Sequence, residues 1–300
     1  MNTPDLEQSL NVQNINWFPG HMAKAKRMIA ENIKMVDAIC EIVDARIPFS
    51  SRNPILSEII NKKPVMIILN RDDQADPAAT DKWANHLRAE GSAVLETDSK
   101  SGKGINAFAA VARKLLNERI SHYKSTGQTG RGLRFMVVGI PNVGKSSFIN
   151  RIAKRKVAAA SDKPGVTRGK QWINIGNGFE LLDTPGVLWP KFDDFVVAEN
   201  LAFTGAIRDD VMDIEALGAN LMLRLYKFYP RRLIERYKLD LESDLTFGFS
   251  GHDFLMRAAE KRGFLVSGGG YDTERMAVTL LDEFRGGKLG RITLEHVMLS

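Results

Sequence analysis

Apolar residues fall in two rhythms along this chain. In the first two thirds, short apolar runs alternate with stretches of helical spacing. The runs are Ala38-Ile-Cys-Glu-Ile-Val43, Val65-Met-Ile-Ile-Leu69, Ala93-Val-Leu-Glu-Thr97 and Leu133-Arg-Phe-Met-Val-Val138. Runs of this length bounded by turn residues predict strands buried in a sheet. The stretches between them predict helices from about Ala23 to Val36, near Pro77–Glu90, from the Gly104 loop to about Tyr123, and over Phe148–Ala153. Strands alternating with helices indicate an α/β fold with a parallel, doubly wound sheet. Two shorter strands, Gln171–Ile175 and Phe179–Leu182, flank Asn177-Gly178, a hairpin turn pair. From about Glu199 the pattern is helical throughout, with helices over Ala216–Tyr229, Arg231–Tyr237, Asp253–Arg262 and Asp272–Arg285. The expected organisation is a loose tail at 1–15, an α/β domain over 16–200 and a small all-α domain over 201–300. Ser125–Gly132 is a flexible linker by composition.

Composition narrows this picture. The 300 residues are 44% hydrophobic, enough for two ordinary cores. No apolar run approaches the ~20 residues a membrane span needs. The polar, acidic start, Met1–Leu10, is unlike a signal peptide, so a cytoplasmic location without membrane attachment is expected. The single cysteine, Cys40, excludes an internal disulfide framework and any cysteine-rich zinc site. Its apolar neighbours predict a buried free thiol. The net charge of +6 is uneven. Residues 201–300 are close to balanced, whereas 151–170 gather Arg151, Lys154, Arg155, Lys156, Lys163, Arg168 and Lys170 around the lone acid Asp162. Such a run is either a solvated face or a surface for a polyanion such as nucleic acid.

The chemistry centres on Gly139-Ile-Pro-Asn-Val-Gly-Lys-Ser-Ser147, which reads G-x-x-x-x-G-K-[ST] between a predicted strand and a predicted helix. That context defines a P-loop. Backbone N–H groups from Asn142, Val143 and Gly144 through Ser147 can turn inward around phosphate oxygens, and the helix N-terminus adds its positive end. Lys145 is placed to reach the β- and γ-phosphates, and the Ser146 hydroxyl to ligate Mg²⁺.

Further loops complete a guanine-nucleotide set. Asp183-Thr-Pro-Gly186 fits D-x-x-G at a strand end, with Asp183 directed to Mg²⁺ and the Gly186 N–H to the γ-phosphate. Thr167 lies between the P-loop and D-x-x-G, where a switch threonine closes on Mg²⁺. Asn70-Arg71-Asp72-Asp73 fits the guanine-reading N-K-x-D loop with arginine in place of lysine. The Asp73 carboxylate can accept from guanine N1–H and N2–H₂, a pair adenine lacks. Asp98-Ser99-Lys100 takes the slot of the S-A-K loop, which contacts guanine O6.

The order of these loops is inverted. In an ordinary GTPase the base-reading loops follow the P-loop; here they precede it, which is a circular permutation. With that order the chain resembles the circularly permuted ribosome biogenesis GTPase A family (the YlqF/RbgA type), from Trp17 to about Glu295. The motifs that carry the resemblance are Trp17-Phe-Pro-Gly-His-Met-Ala-Lys24, Asp44-Ala-Arg-Ile-Pro48 with Ser51-Arg-Asn-Pro54, the P-loop and Leu182-Asp-Thr-Pro-Gly-Val-Leu-Trp-Pro190. Phe284–Thr293 also looks like that family's helical domain. The departures are Arg71 for lysine, Asp98 in the S-A-K slot and a longer N-terminal tail.

The resemblance implies a GTPase that binds GTP and GDP and assists late maturation of the large (50S) ribosomal subunit. It implies contact with rRNA through the helical domain, release after hydrolysis, and no DNA partner. Ras-like enzymes orient the attacking water with a glutamine after D-x-x-G. Here Val187 holds that place, and the resemblance points instead to His21, which by its position alone reads as a helix cap. The resemblance also implies K⁺ at Asn142, which otherwise reads as a tolerated turn residue. Lys227, Arg231, Arg232, Arg236 and Lys238 form a basic stripe that suits either rRNA or solvent. Two alternatives stand beside this reading: a scaffold that binds RNA under GTP without turnover, and a P-loop ATPase of other function. Permuted relatives with a zinc-binding domain are excluded by the single cysteine.

Overall fold

A computed structural model describes residues 27–60, 63–128, 130–154, 171–189, 194–239 and 250–297. The 1–15 tail, the Trp17–Met22 turn with His21, Thr167 and the basic residues from Arg155 to Lys170 lie outside the described residues. The Cα positions divide the chain into two compact units. One takes in Trp17–Pro190 and Glu295–Ser300, and the other centres on Lys191–Leu294.

The first unit is built on a six-stranded sheet in the order β3-β2-β1-β4-β6-β5. Its strands are β1 (Ala38–Asp44), β2 (Val65–Asn70), β3 (Ala93–Thr97), β4 (Leu133–Val138), β5 (Gln171–Gly176) and β6 (Phe179–Asp183). Five run parallel; β5 alone pairs antiparallel, across the expected Asn177-Gly178 turn. Every residue of β1 is buried, as a central strand covered on both faces requires. That explains why its sequence is apolar on both faces rather than alternating, apart from Glu41, which pairs with Arg52, and the closing Asp44. Cys40 is buried there as a free thiol, and burial raises its pKa.

The chain winds outward from β1 through β2 to β3, then crosses back to β4 and winds the other way. Strand order therefore reverses between β1 and β4. In open α/β sheets ligands bind at the carboxyl ends of the strands beside such a switch point. Asp44, Asn70, Asp98, Gly139 and Asp183 all sit at or just past those ends.

Five helices of this unit bear on the site: α1 (Pro54–Ile60), α2 (Pro77–Ala89), α3 (Phe108–Leu115) with its continuation α4 (Asn117–Ser125), and α5 (Lys145–Lys154). Phe108 of α3 and Phe148 of α5 meet at 6.0 Å between ring centroids, tying the P-loop helix to its neighbour. The helix expected to run unbroken to Tyr123 is interrupted. After a 3₁₀ turn at Ile105–Ala107, α3 ends at Leu115, because Leu116, with φ of −103° and ψ of 19°, leaves the helical region. The four-residue spacing of Phe108, Ala112 and Leu116 continues through the break, so hydropathy does not reveal it. The break carries Tyr123 to Asp37, to which its hydroxyl donates at 2.5 Å. The short helix α1 also escapes a periodicity reading; Asn53 caps it by accepting from the Ile55 N–H at 3.0 Å.

The second unit contains α6 (Phe195–Phe203), α7 (Ile214–Phe228), α8 (Pro230–Tyr237), α9 (Gly251–Arg262) and α10 (Thr273–Arg285). Helical structure thus begins at Phe195, ahead of the Glu199 suggested by the pattern. Asp194, Asp213, Ser250 and Asp272 each cap the helix that follows. Leu217, Leu221 and Leu225 of α7 form the core with Leu255 and Ala258 of α9 and Ala277 and Leu280 of α10. Arg236 departs from the expected basic stripe. It is exposed like Lys227, Arg231, Arg232 and Lys238, but its guanidinium pairs with buried Glu283.

Candidate nucleotide-binding site

β4 delivers the chain into the glycine loop, and α5 starts at Lys145, so its first N–H groups point back at the loop. Ser146 and Ser147 are exposed on that first turn. Gly144 must be glycine: its φ is +95°, and a Cβ there would lie 2.4 Å from Asn70 Nδ2. The Lys145 ammonium is buried and donates to the Ile140 carbonyl at 2.8 Å. Burial lowers its pKa to about 8, against the opposing pull of Asp183. The charge of Asp183 therefore bears directly on the cradle.

Asn70, 2% exposed, joins three loops. Its Nδ2 donates to the P-loop carbonyl of Val143 at 2.8 Å. Its Oδ1 accepts from Ser99 Oγ at 2.7 Å, Ser99 N at 3.1 Å and Thr97 Oγ1 at 3.2 Å. Arg71, with a left-handed φ of 63°, donates to the Asn142 carbonyl at 2.9 Å and approaches Asp44 at 3.5 Å. Asp44 is itself clasped by Arg46, with contacts at 3.0 and 2.8 Å. Burial raises the Asp44 pKa, but the charges and hydrogen bonds of Arg46 and Arg71 outweigh it and the net shift is downward. The base-reading loops and the P-loop are thus one hydrogen-bonded body.

Asp73 is exposed, and its carboxyl pKa is raised by partial burial and by the charge of Asp98. Asp98 turns its carboxylate onto the N–H groups of Lys100 at 2.7 Å and Ser101 at 3.0 Å. Burial raises its pKa, yet hydrogen bonds from Ser101 and from the Lys100 and Ser101 backbone produce a net lowering. Buried Asp72 pairs with Lys103. Arg151 of α5 donates to the carbonyls of Ser99, at 3.2 Å, and Lys100. It therefore turns inward, apart from the basic face expected of 151–170.

On the phosphate side, Thr184 Oγ1 donates to the Val137 carbonyl at 2.6 Å, which moors D-x-x-G to the P-loop strand. A Cβ on Gly186 would lie 2.9 Å from both Lys145 Nζ and Pro141 N. Only glycine allows this approach to the P-loop. Val187 N donates to the Gly139 carbonyl at 3.2 Å.

Comparison with known proteins agrees with this geometry. The family model described as 50S ribosome-binding GTPase matches residues 134–221. Ribosome biogenesis GTPase A of Bacillus cereus is 42% identical over 282 residues, covering 94% of this chain and 93% of that one. The chain belongs to the ribosome biogenesis GTPase A family. It binds guanine nucleotides, hydrolyses GTP, associates with the ribosome and acts in ribosome assembly. Among solved structures, GDP-bound TM YlqF superposes with a TM-score of 0.64 at 26% identity, over 90% of this chain and 99% of that one. GNP-bound YlqF from T. maritima does so with a TM-score of 0.61 at 27% identity, over 91% and 98%.

Within this family member, Asn70, Arg71, Asp72, Asp73, Asp98, Ser99, Lys100, Asn142, Val143, Gly144, Lys145, Ser146, Ser147, Asp183 and Gly186 come from loops at the same edge of the sheet. His21 and Thr167 lie outside the described residues. Sequence reasoning assigned no role to Thr97, Asn53 or Thr184, and counted Arg151 only as charge. Asn53 did carry a signal, as part of the Ser51-Arg-Asn-Pro54 motif. No helix among the described residues is long and apolar enough to cross a membrane.

Proposed function

We propose that this GTPase works on the large (50S) ribosomal subunit in the cytoplasm, binding in its GTP state and leaving after hydrolysis. The observation that carries the nucleotide assignment is the convergence of three loops on Asn70. Those bonds support a rigid guanine pocket in which Asp73 accepts from N1–H and N2–H₂ and the Ser99–Lys100 backbone faces O6. The P-loop backbone and Lys145 hold the β- and γ-phosphates, and the Gly186 N–H meets the γ-phosphate. The GTPase body corresponds to residues 16–200. Residues 201–300 contact rRNA, with exposed Lys227, Arg231, Arg232 and Lys238 as candidate phosphate contacts.

Ser146, on the first turn of the P-loop helix, and Asp183, at the end of β6, offer hard oxygen donors. That set suits Mg²⁺, completed by Thr167. When bound, the ion neutralises charge shared by the β- and γ-phosphates. Asn142 is assigned to K⁺ beside the phosphates. Val187 is 3% exposed and apolar, so the group that orients water comes from elsewhere, and His21 is assigned that role. Single-turnover hydrolysis with and without purified large subunits tests the scheme. His21→Ala is expected to lower the stimulated rate by roughly two orders of magnitude while keeping GTP affinity. A wild-type stimulated rate in that variant removes His21 from catalysis.

A further inference from the structure

The paired motif Asp44-Ala-Arg-Ile-Pro48 and Ser51-Arg-Asn-Pro54 has one residue that reaches the phosphate side of the site. Asn53 is 1% exposed, and its Nδ2 donates to the Val187 carbonyl at 2.8 Å, across 134 positions of sequence. Its Oδ1 separately accepts from the Ile55 N–H at 3.0 Å and starts α1. Val187 is therefore held from three directions. Its carbonyl is bound by Asn53, its N–H donates to Gly139 O at 3.2 Å, and its side chain is buried in a cluster with Leu56, Ile60, Met136 and Leu182. The residue that in Ras-like enzymes orients water is here an anchor. Gly186, one position earlier, lies too close to Lys145 and Pro141 for any side chain.

We propose that Asn53 is a positioning residue for GTP hydrolysis: by fixing Val187 it holds the Gly186 N–H where the γ-phosphate arrives. The proposal rests on the reading that Gly186 meets that phosphate. A loop already held in its binding geometry does not lose that conformational freedom when GTP binds. Without the Asn53 bond the ordering falls on the step that engages the γ-phosphate, at a cost of roughly ten-fold for about one residue of backbone. GDP lacks the γ-phosphate and does not engage this part of the loop.

The two functions of Asn53 can be separated by mutation. Asn53→Asp keeps an oxygen to cap Ile55 but replaces the donor to Val187 with a carboxylate that repels its carbonyl. Asn53→Ser keeps a capping hydroxyl on a side chain too short to reach Val187. Binding of GDP and of a non-hydrolysable GTP analogue, single-turnover hydrolysis and thermal melting are measured for both, beside Gly186→Ala. Both Asn53 variants should bind GDP within about two-fold of wild type, and lose roughly ten-fold in analogue affinity and in hydrolysis rate. Equal losses for GDP and the analogue, no loss for either, or failure of both variants to fold overturns the proposal. If Gly186→Ala leaves analogue affinity unchanged, the γ-phosphate assignment itself fails. If Gly186→Ala weakens the analogue and neither Asn53 variant does, only the positioning role fails.

Discussion

Each unit of this protein contains a buried polar side chain that gathers several partners, and the two differ in chemistry. In the first unit it is a neutral amide. Asn70 donates once and accepts three times, all to groups of the nucleotide loops. In the second it is a carboxylate. Glu283, 5% exposed, accepts from Arg236 Nε at 2.9 Å, Tyr237 Oη at 2.8 Å and Arg262 at 3.2 Å. Burial raises the Glu283 pKa, but hydrogen bonds from Arg236 and Tyr237 and the charges of Arg262 and Arg236 outweigh it and hold it at about 2. An amide satisfied on both ends fixes geometry without adding charge beside a polyanionic ligand. A carboxylate among arginines stabilises helices at the cost of pH sensitivity. Asn70 serves the loops in the first way, and Glu283 serves the helical unit in the second.

The comparison can be pressed hardest at the base end. Asp73→Asn should shift preference from GTP toward xanthosine triphosphate, changing the ratio of the two affinities by roughly a thousand-fold, because a donor then faces guanine N1–H. Competition binding reads this, and an unchanged ratio means that another loop reads the base. Asn70→Ala should weaken GTP and GDP together by about a hundred-fold, since four hydrogen bonds that align three loops are lost. A loss below ten-fold shows that the loops hold their geometry without the amide.

Glu283→Ala should cost the helical unit about 2–3 kcal/mol in urea denaturation and leave nucleotide affinity unchanged. A matching loss of GTP affinity would dissolve the contrast between the two side chains. The pH dependence follows with a definite sign. The folded carboxyl pKa is about 2, below the ordinary glutamate value of 4.5, so its stabilisation is present above 4.5 and lost as pH falls toward 2. The Glu283→Ala protein should lack this acid limb; if both proteins lose stability alike between those values, another carboxylate is responsible. The smallest effect is expected of Arg71→Lys, which restores the usual residue but loses the fork that reaches Asn142 O and Asp44 together. GTP affinity should fall less than ten-fold, and a larger drop would make Arg71 as central as Asn70.

Much of the fold was legible because strands buried on two faces read as nearly continuous apolar runs, broken in β1 only by Glu41, which pairs with Arg52, before the closing Asp44. Ala38–Val43 and Val65–Leu69 announce such strands whatever surrounds them. The loops were legible because phosphate and guanine favour fixed residue types at strand ends, the types that stand at Gly144, Lys145 and Asp73. The break at Leu116 was not legible, since a four-residue apolar spacing persists through it. Nor was the return of Glu295 to the first unit, where its carboxylate accepts from the Phe49 N–H at 2.6 Å and its carbonyl from Trp83 Nε1 at 2.9 Å. No local pattern encodes a partner more than two hundred positions away.

The sequence by itself determined the order of the strands and of the longer helices, the permuted succession of loops and the chemistry those loops can perform. These depend on local steric and hydropathic rules that a short window contains. Only the tertiary structure decided that Arg151 turns inward to the Ser99 and Lys100 carbonyls, that Arg236 pairs with Glu283, and that Asn53 holds Val187. An arginine or asparagine carries the same donors wherever it stands. Which buried carbonyl or carboxylate it must satisfy is set by which strands and helices the folded chain brings beside it.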